Sequence, residues 1–230
     1  MNDINKHIKK LISIRREKHH PLVHHIHKKY NISRKTLFYI KEYGPHSHVV
    51  KTIMKESLKI LFLASIISSL GGFALEFIKP LFVSFIPLVI MLPALNNMIG
   101  AYGAIISSRF TTLLHEGKVG KKLFKNAELK NIFCQVMIIS IITTIFSLLI
   151  SFLMSYLGKG LDFNIALKIV IISLIDVMFL ICLIFIISIF AGVYYYKNNE
   201  DPNNFLIPIT TSIADFGNMG ILAVLIIIFL

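Results

Sequence analysis

From about residue 60 onward, charged residues divide the chain into five long apolar blocks. No other feature constrains the fold as much. The first block covers 60–77. The second lies between Lys79 and Arg109, the third between Lys130 and Lys159, and the fourth between Lys168 and Lys197. The fifth runs over 202–230 and carries a single charged residue, Asp215. A helix that crosses a bilayer needs about 20 mainly apolar residues, and the last four blocks exceed that with room for tilt. Backbone groups have no water to bond in hydrocarbon, so each block must close its own hydrogen bonds as a helix. The expectation is an all-α polytopic membrane protein with five transmembrane helices over 57–230, preceded by a basic, histidine-rich segment over 1–56. A mean hydropathy of +0.73 with only 16% charged residues fits that class and not a soluble core.

Charge in the connections sets an expected orientation. Of the 24 Lys and Arg residues, 14 precede residue 60, and six more lie from Arg109 to Lys130. The turn around Lys79 and the connection holding Lys159 and Lys168 are poorer in base. Basic excess stays on the cytoplasmic side, which places the N-terminal segment and the Arg109–Lys130 loop in the cytoplasm and the C-terminus outside. There is no Trp, so Tyr156 and Tyr194–Tyr196 supply the interfacial aromatics. No cleavable signal peptide is visible. Cys134 and Cys182 lie inside apolar blocks with no ligand spacing and read as small buried hydrophobes.

Polar atoms inside the blocks carry the functional information. In the second block Asn96, Gly100, Gly103 and Ser107 follow one another at i, i+4, i+7 and i+11, a single small and polar helix face. Such a face either packs closely against another helix or lines a path, and for Asn96 and Asn97 both readings stand. In the fifth block Thr211, Asp215 and Asn218 form a second stripe, flanked by Thr210 and Ser212. Pro93 and Pro208 free backbone carbonyls nearby. A carboxylate near mid-depth costs on the order of 3 kcal/mol. That cost is tolerated if the group is protonated and packed, paired with a base, or facing water and cations. No Lys, Arg or His lies in a span core to pair with it. Asp176, in the fourth block, is either an outer attracting charge or a protonated hydrogen-bond donor to a neighbouring helix.

These groups suggest an ion. The available ligands are carboxylate, amide, hydroxyl and carbonyl oxygens, without the His or Cys that Zn²⁺ or Cu²⁺ favour. Mg²⁺ keeps much of its water and takes one or two carboxylates. One Asp215 per chain, doubled about a two-fold axis, suits it. Five spans provide no internal pair of halves, so a symmetric path requires a homodimer. No ATP-binding motif is present, so transport is passive or driven by another gradient, and nothing indicates an enzyme. A proton-coupled carrier using Asp215 and Asp176, and a membrane-anchored binding module with a basic head, are the alternatives.

Two stretches resemble the MgtE-type magnesium transporters and their solute-carrier relatives. In "PALNNMIGAYGAIISSRFTTLLHEGKVG" (93–120), Pro93, Gly100, Gly103, Ser108, Arg109, Thr112, His115 and Gly117 match that family's second-span signature. In "DPNNFLIPITTSIADFGN" (201–218), Asp201, Pro202, Asn204, Pro208, Thr211 and Asp215 match its fifth-span signature. The resemblance covers 57–230. It implies a five-helix homodimer with the pore on the two-fold axis, in which the aspartate matching Asp215 binds a hydrated ion. Ala101 stands where the family has Asn, which removes an amide from the wall. The large cytosolic regulatory domains of bacterial members have no counterpart in the short head.

The head carries eight of the nine histidines. His20, His24 and His27 have a helical spacing that could present them to a metal, with Pro21 breaking the helix unless it begins there. Contact with anionic membrane lipid is the plainer reading. The segment contains no recognised nucleic-acid motif.

Overall fold

The structure, a computed structural model, describes residues 2–12, 21–30, 32, 36–37, 40, 49–119, 126–158, 163–198 and 200–230. Its regular elements among these residues are helices: α1 (Asn2–Ile12), α2 (Pro21–Tyr30), α3 (Val49–Ser84), α4 (Ile86–His115), α5 (Ala127–Gly158), α6 (Phe163–Lys197) and α7 (Pro202–Phe229). They fall into two compact units, 1–59 with 198–200, and 60–197 with 201–230.

In the first unit, α1 and α2 enclose a small apolar cluster of Leu11, Val23, Ile26 and Leu37. Pro21 begins α2 and does not interrupt it, since a first-turn proline has no helical hydrogen bond to lose. His27 Nδ1 lies 2.6 Å from the Ile32 carbonyl, to which a ring N–H donates. His20 and the His24 side chain lie outside the described residues, so the three-histidine arrangement is not visible. Among the described residues no cluster of three or more His, Cys, Asp or Glu could hold a metal.

In the second unit, α3 to α7 supply five helices long and apolar enough to cross a membrane. The all-helical, five-span expectation therefore holds. Contacts fix their directions. Tyr102 meets Thr143 at 2.8 Å and Ser151 Oγ donates to the Pro87 carbonyl at 2.6 Å, so α4 and α5 are antiparallel. Met91 faces Ser173 and Ser107 faces Ser188, so α4 and α6 run parallel. Helices α4, α6 and α7 pack against one another around Met91, Leu95, Ile99, Ile172, Leu180, Ile184, Leu222 and Ile226. The outward surfaces carry Phe62, Phe73, Phe146, Leu149, Phe179 and Phe190, an extent of exposed apolar area that a membrane must cover.

Helix ends follow local chemistry. Gly117 has φ +70°, the left-handed conformation that glycine adopts without a Cβ clash. There Lys118 N–H bonds the Leu113 carbonyl and Gly117 N–H the Leu114 carbonyl, closing α4 with a Schellman motif. Lys118 Nζ then pairs with Glu116 at 2.9 Å and Glu128 at 3.7 Å. The Glu116 hydrogen bond, followed by the charges of both acids, raises the ammonium above its ordinary pKa. Asn126 Oδ1 accepts from Glu128 N and Leu129 N and starts α5. Asp201 accepts from Asn203 N at 3.0 Å with Pro202 in the first turn, so "DP" is the start signal of α7.

Several boundaries differ from the sequence reading; α4 runs past Arg109 to His115 and α5 starts before Lys130, at Ala127. The first span does not turn around Lys79. Helix α3 continues through Pro80 to Ser84, and the break falls at Phe85. Glu76 and Lys79 form an exposed i, i+3 pair at 3.2 Å and stay on the helix. The turn comes where Pro87 withdraws the next backbone donor. The fourth span begins at Phe163 and not near Lys168. Lys168 rides on an exposed flank of the helix, where a long side chain can carry its charge out toward the interface.

Candidate functional site in the membrane-spanning helices

Close contact of α4 with α7 builds the site. A Cβ on Gly100 would touch Thr211 Cγ2 at 3.5 Å, and one on Gly103 would lie 3.0 Å from Thr210 Cβ. These glycines let the two backbones approach. Farther along, Asn218 Nδ2 donates to Asn96 Oδ1. The Ser107 hydroxyl sits 3.5 Å from that of Thr210 and 3.3 Å from that of Ser188. The Thr210 and Thr211 hydroxyls also donate to their own helix, to the Leu206 and Ile207 carbonyls. Within one chain, Asn96, Asn218, Gly103, Ser107 and Thr210 thus form a polar seam between helices. Ser107, Thr210 and Asn218 are 0% exposed, because closely approaching backbones leave no room for water between them.

Asp215 and Asn97 stand apart from that seam. The Asn96–Asn218 and Gly100–Thr211 contacts bracket them and hold both at one level of the bundle. Asn97 is exposed, and Asp215 is only partly buried. Asp215 lies thirteen residues beyond Pro202 in the 28-residue α7, about 20 Å along it at 1.5 Å per residue. Its one described hydrogen bond comes from Ser68, whose hydroxyl donates to Oδ2 at 3.0 Å. Ala101 and Ser108 continue the exposed face of α4 beyond Asn97.

Ser68 escapes the sequence reading, as does the reason α3 reaches α7 there. A Cβ on Gly71 would lie 2.9 Å from Met219 Sδ and 3.1 Å from Phe216 Cα. The second of these is backbone and cannot move aside, so Gly71 is the point of closest approach. Among the described residues of α3 only a narrow stripe, Ile60, Ala64, Gly71, Ile78 and Phe82, is buried. The signal was present in "SSLGG" (68–72), a run of small residues of the kind that marks close helix crossings.

Asp176 is placed differently. It is 0% exposed, and neither carboxylate oxygen has a hydrogen-bond partner among the described residues. It occupies the inward stripe of α6 between Ser173 and Leu180. An outer attracting charge needs water around it, and a hydrogen-bonded acid needs an acceptor; among the described residues of one chain Asp176 has no acceptor and no open face. The reason is that α6 turns this face toward α4 and α7.

A family model described as MgtE, divalent cation transporter, matches residues 92–225, more than half of the chain. No curated protein and no solved structure matches it.

Proposed function

This chain belongs to the MgtE family of divalent cation transporters, and from that premise we propose that it moves Mg²⁺ through a wet path on a homodimer axis, with Asp215 as the ion's ligand. It is a multi-pass membrane protein that carries divalent cations. The finer reading rests above all on Asp215, a partly open carboxylate midway along an apolar helix with one hydroxyl on one oxygen. Open to lipid, such a group costs on the order of 3 kcal/mol. Open to water and a doubly charged ion, it becomes attractive.

The neighbouring groups fit a hydrated cation. Asn97 at the same level offers an amide to the ion's water, and Thr211 stands one turn from Asp215. Gly100 and Gly103 keep α4 and α7 close, so that the two helices form one wall, and the Asn96–Asn218 bond with Ser107 and Thr210 stiffens that wall from behind. Ser68 holds one Asp215 oxygen and orients the carboxylate. A second copy completes the ring of oxygens that one carboxylate per chain cannot supply, and partly retained water is the coordination Mg²⁺ prefers. Fourteen of the 24 basic residues precede residue 60, which favours a cytoplasmic N-terminus and an outward C-terminus.

The test is flux. The purified chain in liposomes loaded with a Mg²⁺-sensitive dye admits Mg²⁺ faster than protein-free liposomes, and ahead of Na⁺, in a panel that includes Co²⁺ and Mn²⁺. Entry of Mg²⁺ at the protein-free rate overturns the proposal.

A further inference from the structure

Away from the polar seam, α5 and α6 diverge at the Lys130 end and leave a groove of about 290 Å³. Leu129 and Phe133 form one wall and Phe185, Ile186 and Ile189 the other, with Cys182 at the deep end. The volume corresponds to roughly ten waters, but a lining of this kind offers water almost nothing to bond. From Cys182 to Ile189 the groove follows α6 for about 10 Å at 1.5 Å per residue, within the roughly 15 Å that one leaflet's hydrocarbon provides. Its content should therefore be a chain of methylenes.

Among the described residues the groove has one charged group, Lys130, on the first turn of α5. Lys130 is exposed and has no ion-pair partner among the described residues. The nearest acid in sequence, Glu128, lies 3.7 Å from Lys118 Nζ instead. The first backbone donors of α5 are taken by the Asn126 side chain, so the attraction for an anion there is the ammonium and not the helix end. Further bases, Lys121, Lys122 and Lys125, precede Lys130 in the same connection. An apolar slot of leaflet depth with an uncompensated base at its mouth is complementary to a lipid with a negative headgroup.

We propose that the α5–α6 groove is a binding site for an anionic phospholipid, with one acyl chain lying against Phe133, Phe185 and Ile186 and its phosphate held by Lys130. The bound chain fills space between α5 and α6 that protein atoms leave open, and so links the headgroup composition of that leaflet to the packing of these two helices. The site does not depend on the assignment of the ion path.

The chain has no Trp, so Phe133→Trp introduces a sole tryptophan, excited selectively over tyrosine, in the groove. The variant is reconstituted in mixed phosphatidylcholine and phosphatidylglycerol vesicles, with brominated chains placed on one lipid or the other at equal mole fraction. Quenching at least twofold stronger with brominated phosphatidylglycerol is expected, and adding Lys130→Gln is expected to abolish that preference. Equal quenching by both lipids, or a preference that survives Lys130→Gln, overturns the site. Native mass spectrometry of the unsubstituted chain gives an answer that does not depend on the tryptophan variant folding. Retained phosphatidylglycerol should exceed phosphatidylcholine, and the excess should fall in Lys130→Gln. No excess, or one that Lys130→Gln leaves intact, overturns it.

Discussion

Asp215 and Asp176 each lie thirteen residues beyond the first residue of a long apolar helix, α7 from Pro202 and α6 from Phe163. By residue count from the helix start they are equivalent. Their surroundings are not. Asp215 is partly open, receives a hydroxyl from Ser68 and shares its level with the exposed Asn97. Asp176 is 0% exposed, and neither of its oxygens has a partner among the described residues. A buried polar group without a partner has given up its water for nothing and costs stability. A partly open one keeps access to whatever occupies the space in front of it. The contrast teaches that two acids at similar positions along apolar helices can have opposite surroundings, and that the surroundings and not the position decide what each can meet.

Substitutions can break or sharpen this contrast. The largest effect is expected for Asp215→Asn, which keeps the shape and removes the charge. Mg²⁺ flux into liposomes should fall at least tenfold, equivalent to about 1.4 kcal/mol. Flux equal to that of the unsubstituted chain would break the contrast from the Asp215 side. Next is Gly71→Leu. A side chain there meets the α7 backbone at Phe216 Cα, so α3 must move away and the Ser68–Asp215 bond goes with it. A several-fold loss of flux is expected, with the purified protein still eluting as one species. Retention of full flux would show that the α3 crossing does not orient Asp215.

Asn218→Leu tests the seam behind the wall. It leaves the partly buried Asn96 side-chain oxygen without its donor, at a cost of about 1 kcal/mol. A lowered thermal midpoint should result, and the double variant with Asn96→Leu should recover part of it. The smallest loss is expected for Asp176→Leu. An apolar group of similar size replaces one that has no partner, so flux should stay within about twofold, and the midpoint should hold or rise by the equivalent of about 1–3 kcal/mol. Loss of flux in this variant with the fold intact would put Asp176 in the path.

The sequence reveals some of this arrangement and hides the rest for physical reasons. The five spans are legible because hydrocarbon excludes charge, so Arg109, Lys130 and Lys197 mark where helices leave it. Asp201 and Pro202 announce the start of α7 through the cap they form. The turn at Phe85 is hidden because Glu76 and Lys79 neutralise each other on the helix surface and look like a boundary. A helical stripe tells which residues share a face, but not which helix meets that face. Asn96 and Asn218 therefore lie on the two expected stripes, but their bond to each other is visible only in three dimensions. Ser68 is harder still. A hydroxyl in a span can bond its own helix, as Ser69 does with the Ser65 carbonyl, and nothing local shows that Ser68 reaches across to α7.

Water accessibility of the two acid positions tests the central contrast most directly. On a background of Cys134→Ser and Cys182→Ser, Asp215→Cys and Asp176→Cys are each reconstituted in vesicles and treated with a charged, membrane-impermeant thiol reagent. Position 215 should be labelled, while position 176 stays unreacted until the protein is unfolded. Labelling at 176 as fast as at 215, or a position 215 that only an apolar reagent reaches, would contradict the account.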